Sequence, residues 1–124
     1  MIQMQIRNNY TCPLEIVHDI IKGKWKTIII WQLRHGNTSL SKLEHDIEGI
    51  NQKMLLQQLK ELIEFGMVDK IKSSSYPLHV EYFLTEQGFK IQKGIEIMQE
   101  VGVDYMVTHD MTDILDKKGI CYKQ

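Results

Sequence analysis

Cysteine is scarce in this chain. Cys12 and Cys121 are the two in 124 residues, too few for a disulfide framework. The expectation is a cytoplasmic protein whose thiols stay reduced. Long apolar runs are missing as well: none approaches the roughly 20 residues that span a bilayer. The opening MIQMQIRNNY has no apolar leader core, so neither a secretory signal nor a membrane partner is expected. There is no excess of one charge. The formal net charge of −1 lacks the bulk basic signature of many nucleic-acid binders. Catalytic and metal signatures are also absent. The sequence has no GxSxG, P-loop, GxGxxG, HExxH or CxxC, and His18, His35, His45, His79 and His109 do not cluster with cysteine. No cofactor is called for, and an enzyme has no residue constellation behind it. His109 with Asp110 and Asp113 is conceivable as a metal site, but solvated helix charge explains these residues better.

What remains is enough for one domain with a real core. Its charge is uneven. Up to Gly94 there are twelve Lys/Arg against ten Asp/Glu, and from Ile95 onward three against six. Any DNA contact must therefore come from a local patch.

The most informative stretch is Ser41 to Phe65, SKLEHDIEGINQKMLLQQLKELIEF. Ser41 and Glu44 have the spacing of a capping box and mark a helix start. Gly49 marks a turn, and Asn51 is a suitable N-cap for a second helix. Gly66 stands where a left-handed C-cap residue is expected. Two helices around a glycine-containing turn are the helix-turn-helix pattern, whose second helix can enter a major groove. At about 100° per residue, Leu55, Leu59 and Leu62 form its core stripe, flanked by Ile63. Lys53, Gln57, Lys60 and Glu64 face the other way, with Leu56 at the edge and Gln52 in the first turn. Lys suits guanine, Gln suits adenine and Leu56 suits a thymine methyl. Any solvent-facing helix carries such residues, so this face alone does not specify DNA.

The rest of the chain supplies the context. Residues 1–11 read as a loose arm. Pro13 suits a first helical position, followed by Leu14, Val17 and Ile21 at helical spacing. After Lys22-Gly23, a second helix is expected from about Lys24 to Arg34. Its Ile28-Ile29-Ile30-Trp31 run makes it the buried centre, with Trp25 and Trp31 as core aromatics. Thr38–Leu40 is a candidate short strand. Met67–Ile71 and His79–Leu84 read as strands around the polar segment Ser73–Pro77, a β-hairpin directly after the recognition helix. Thr85 caps a further helix bearing Phe89, Ile91, Ile95, Ile97 and Met98. A C-terminal segment follows from Val101 to about Lys117, with Met106, Met111, Ile114 and Leu115 as its helical apolar positions. This order is that of an α+β, mainly helical winged helix-turn-helix domain, with a wing placed to meet phosphate or the minor groove.

Cys12-Pro13, Gly23-Lys24-Trp25-Lys26, Gly49 through Leu55, Gln57 through Leu62, Gly66, Val80-Glu81-Tyr82 and Leu84 through Gly88 also occur in a characteristic order. In this the chain resembles the HxlR-type transcriptional regulators, a branch close to MarR-like proteins. The likeness covers roughly Cys12 to Gly102. It implies a homodimer on a pseudo-palindromic operator in double-stranded DNA, with dimerisation built from N- and C-terminal helices. The corresponding division is residues 1–11 as an arm, 12–102 as the winged helix-turn-helix domain and 103–124 as a C-terminal helical dimerisation tail. Leu56, Asn51 and His79 stand where the family often has Thr, Ser and a basic residue, which implies a different operator and a less firmly held wing base.

The DNA-contact candidates are Gln52, Lys53, Leu56, Gln57 and Lys60 for the groove. Asn51 and Ser41 are candidates as caps near phosphate, and Lys24 and Lys26 as further phosphate contacts. Lys70, Lys72, Ser74, Tyr76 and His79 belong to the wing. Cys12 precedes a predicted helix N-terminus, a setting that favours thiolates in general. The resemblance implies oxidant or electrophile sensing by this cysteine in some members. A disulfide from Cys12 to Cys121 of the other protomer is a hypothesis that follows from it; two ordinary reduced thiols, with Cys12 partly buried, are the plainer reading. The competing class is a winged-helix protein–protein module without DNA binding. The effector is not readable.

Overall fold

The structure is a computed structural model, and residues 9–122 are described. Six helices and three short strands alternate in the order α1 (Pro13–Ile21), α2 (Lys26–Gln32), β1 (Thr38–Ser39), α3 (Leu40–Asp46), α4 (Gln52–Glu64), β2 (Val68–Lys72), β3 (Val80–Leu84), α5 (Glu86–Thr108) and α6 (Asp113–Lys117). A 3-10 turn, Leu33–His35, follows α2. The strands form one antiparallel sheet in the order β1-β3-β2, with Thr38 opposite Tyr82 and Val68 opposite Leu84. No described helix is long and apolar enough to cross a membrane. The chain divides into two units, at Gln92 and Lys93.

In the first unit the core is a layer of helices against the root of the sheet. Ile29, Ile30 and Leu33 are fully buried, as are Leu43, Leu55, Leu59, Leu62 and Val68 to within 1%. The three leucines of α4 are the stripe expected from the 3.6-residue repeat, and burying each contributes about 2 kcal/mol. Of the isoleucine run, Ile28 is exposed while Ile29 and Ile30 are buried. Trp25 and Trp31 are half-buried, each beneath a cation: Lys24 Nζ lies 4.6 Å from the Trp25 ring and Arg34 Cζ 3.9 Å from the Trp31 ring.

Local chemistry sets the junctions. Asn51 Oδ1 accepts from Met54 N at 2.8 Å, capping α4 as expected. At the far end Gly66, at φ 82°, takes the left-handed C′ position. Gly66 N donates to Ile63 O and Met67 N to Leu62 O, both at 3.0 Å, which closes α4 in a Schellman motif. Thr85 caps α5 by accepting from Gly88 N at 3.1 Å, and its hydroxyl donates to Gly66 O at 2.6 Å.

Three expectations change. The cap of α3 is Ser39, whose Oγ accepts from Lys42 N at 3.2 Å. Ser39 keeps the extended conformation in which β1 ends, so the helix starts at once and Ser41 falls inside its first turn. Second, the C-terminal segment is not separate from the preceding helix: α5 runs unbroken for 23 residues through Val101 and Gly102, and α6 follows. Third, residues 9–11 are not loose. Tyr10 Oη donates to Asp19 Oδ2 at 2.7 Å, and the backbone and hydroxyl of Thr11 both reach Glu15 Oε1. The remainder of the expected arm, residues 1–8, lies outside the described residues.

The second unit holds the rest of α5 and α6. A turn with Asp110 at φ 57° joins them, and Met111 N donates to Met106 O at 2.8 Å. Leu115 is buried, but Ile97, Met98, Val101 and Tyr105 are 56–64% exposed.

Candidate nucleic-acid interface

The outer face of α4 follows from its inner one. With Leu55, Leu59 and Leu62 turned inward, Gln52, Lys53, Leu56, Gln57 and Lys60 are all exposed on the remaining arc. Asn51 and Ser41 are exposed nearby. The structure thus brings every expected α4 residue to one surface. Met54, 40% exposed, joins them. Gln57 is not idle, because its Nε2 donates to Glu61 Oε2 at 2.9 Å.

The wing extends from the root of the sheet. In β2 only Val68 is buried; Asp69, Lys70, Ile71 and Lys72 are exposed. Ser73 organises the tip. Its Oγ accepts from His79 N at 3.0 Å and lies 3.2 and 3.4 Å from the carbonyls of Ser75 and Pro77, while Ser73 N donates to His79 O at 2.7 Å. Around this knot Ser74, Tyr76 and Leu78 are exposed, Tyr76 to 94%. His79 Nε2 is 3.1 Å from Glu81 Oε2. The Glu81 carboxyl is held below its ordinary value by hydrogen bonds from His79 and Asn37.

Lys26 does not join this surface. It is 5% exposed, and its ammonium lies 2.9 Å from both Glu61 Oε1 and Gln58 Oε1. A lysine taken out of water requires such a partner, so a side chain expected at phosphate instead links α2 to α4. Glu61 is the site residue that sequence reasoning missed. Burial pushes its carboxyl up, but hydrogen bonds from Lys26 and Gln57 outweigh this and hold it below the ordinary carboxylate value. Lys24 is exposed, over Trp25.

Both cysteines are exposed thiols, and Cys12 is not partly buried. Cys12 is the N-cap of α1 without a side-chain capping bond, and Pro13 is the first helical residue. A shallow hollow of about 340 Å³ is lined by Tyr10, Thr11, Cys12, Pro13 and Ile16. His109 stacks on Tyr105 with ring centroids 3.9 Å apart. Among the described residues no group of three His, Cys, Asp or Glu is placed to hold a metal ion.

A capped helix-turn-helix followed directly by a two-stranded wing defines a winged helix-turn-helix protein. The sequence pattern of the HxlR-like helix-turn-helix family matches residues 20–110, and the chain belongs to that family. It is 35% identical over 103 residues to MalR of Fusobacterium mortiferum, named as a regulatory protein, covering 82% of this chain and 97% of that one. It is 33% identical to YtcD of Bacillus subtilis, an uncharacterised HTH-type transcriptional regulator, covering 81% and 79%. The solved structure of YtcD superposes with a TM-score of 0.71 over 77% of this chain and 98% of that one. The reduced form of the redox regulator HypR, 31% identical, superposes with 0.70 over 86% and 99%. The chain is a transcriptional regulator of HxlR/MarR type. The family and these relatives are regulators, not enzymes.

Proposed function

We propose that this regulator acts in the cytoplasm as a homodimer on a pseudo-palindromic operator, with α4 in the major groove and the wing on flanking DNA. The observation that carries the reading is the division of α4: Leu55, Leu59 and Leu62 are buried to within 1%, while Gln52, Lys53, Leu56, Gln57 and Lys60 share the solvent face beside the wing. Lys70, Lys72, Ser74 and Tyr76 would contact the flanking DNA, with His79 at the wing base. Ser41, Asn51 and Lys24 lie exposed as phosphate candidates.

A second copy is supported by apolar exposure. Leu14 of α1 is 73% exposed. On α5, Met98, Val101, Gly102, Tyr105 and Met106 line, with Met111, an apolar groove of about 520 Å³. Burying such side chains is the main drive for association. Two recognition helices related by a two-fold axis would read half-sites about 34 Å apart. Residues 103–124 serve in this reading as the dimerisation tail. Exposure of Cys12 and the likeness to HypR support an oxidant response through this thiol, with Cys121 of the second protomer as its disulfide partner. A non-reducing gel after diamide treatment that shows monomer bands alone would sink the intersubunit disulfide.

Exposed Leu56, Ile71 and Leu78 favour one second reading, a protein-interaction surface without DNA binding. Selection of bound sequences from random duplex DNA, with and without thiol reductant, separates the two. An inverted repeat establishes the dimeric regulator. Loss of that repeat under oxidation alone assigns the response to a thiol, and no enrichment in either condition favours the interaction module.

A further inference from the structure

One buried cation has no role in the reading so far. Lys26 sits on α2, away from the solvent face of α4, yet its ammonium is the anchor for a row of side chains that ends on that face. Its two partners, Glu61 Oε1 and Gln58 Oε1, are both 2.9 Å away. The second oxygen of the same carboxylate, Oε2, accepts from Gln57 Nε2 at 2.9 Å. On the other side, Gln58 Nε2 reaches Met54 Sδ at 3.6 Å. A glutamate on a wet helix face ordinarily samples several rotamers. Here a salt bridge whose lysine side chain is 7% exposed fixes one oxygen, so the other oxygen has a defined place.

The amide of Gln57 is thereby oriented. A glutamine amide has two N–H donors and one carbonyl acceptor. One N–H is used by Glu61. The other N–H and Oε1 remain, which is the donor–acceptor pair that matches N7 and N6 of adenine in the major groove. A side chain already held in its reading geometry loses less rotational freedom on binding than a free one.

We propose that Lys26 and Glu61 are positioning residues for base recognition, acting through Gln57: the ion pair between α2 and α4 sets the amide orientation with which the recognition helix reads one base pair. This rests on the reading that α4 enters the major groove. It gives the interior Lys26 a part in sequence preference without any contact to DNA.

The test is a double-mutant cycle on base preference, using the full chain and the operator recovered by selection. Relative affinities are measured for all four base pairs at each operator position. Gln57→Ala is expected to lose about tenfold or more of preference at one position. Glu61→Ala should lose preference at that same position, and in the Gln57→Ala background it should lose nothing more there, a coupling of at least about threefold. A purely structural role for the ion pair would lower affinity for all sequences alike and leave the preference profile unchanged; that result overturns the proposal. Lys26→Met should reproduce the Glu61→Ala profile, with Lys26→Arg restoring part of it. Should Lys26→Met fail to fold, the side-chain amide signals of Gln57 in the free protein decide: Glu61→Ala must shift and narrow their dispersion, and unchanged signals overturn the proposal. An operator on which Gln57→Ala changes no position refutes base reading by Gln57. Selection that recovers no operator refutes the DNA reading itself.

Discussion

Replacing Gly88 by alanine should unsettle the junction between the recognition helix and the wing. Gly88 lies in the first turn of α5 and is buried. A Cβ there would stand 2.0 Å from Met67 O, 3.1 Å from Met67 C and 3.2 Å from Leu84 Cδ2. The nearest of these is backbone, which cannot swing aside like the end of a side chain. At least an ångström of separation is needed before the contact is tolerable. Met67 O also accepts from Thr85 N at 3.1 Å, so moving it weakens a bond worth about 1 kcal/mol. Overpacking of this kind costs about 1–3 kcal/mol, and the better helix propensity of alanine returns about 1 kcal/mol at most. The balance is a destabilisation of about 2 kcal/mol, or a Tm lowered by roughly 8 °C at about 4 °C per kcal/mol. Gly94 provides the control, since nothing lies within 4 Å of an added Cβ there and its φ is not positive. Gly94→Ala should hold or raise Tm. Calorimetry on both variants is the assay, and a Gly88→Ala protein that melts within a degree of the parent would refute the close-approach argument.

Asn51→Ala removes the bond from Met54 N and should cost about 1 kcal/mol, read as a lower denaturant midpoint with an unchanged slope. Glu61→Gln should be less stable than the parent at neutral pH. The folded pKa of Glu61 lies below its ordinary 4.5. Its contribution is therefore fully present above the unfolded value and lost as pH falls through the folded one, so the gap between the two proteins in Tm should close as pH drops below about 4.5. A gap that stays constant would show that Glu61 is not held as an ion pair. Lys72→Ala should weaken binding to all sequences alike and reduce the salt slope by about one, measured by titration at several salt concentrations.

Much of this architecture is legible because it is local. The leucine stripe of α4, the Asn51 and Thr85 caps and the Gly66 terminator each depend on residues within a turn or two, and each stands where the local pattern puts it. The cap of α3 is not a local feature, since Ser39 takes it where β1 ends its pairing with β3. The continuity of α5 was obscured by Gly94 and Gly102, which weaken a helical pattern without breaking the helix. The burial of Lys26 is illegible in the sequence for a clearer reason. In sequence it is one of two lysines flanking Trp25, with nothing local to mark it as buried. Its partner Glu61 is 35 positions away, and only the packing of α2 on α4 turns a surface cation into an interior one. The polar face of α4 follows from its periodicity, yet the bond tying Gln57 to Glu61 needs rotamers that periodicity does not supply.

The knot at Ser73 bears on how such a regulator diversifies. Ser73 ties the turn together through its own hydroxyl and backbone, while the side chains at 74, 76 and 78 stand exposed around it. Those positions can be exchanged while the loop keeps its form. A duplicated copy of the gene could acquire a new flanking-sequence preference there without first losing its fold, whereas a change at Ser73 would disturb all three positions at once.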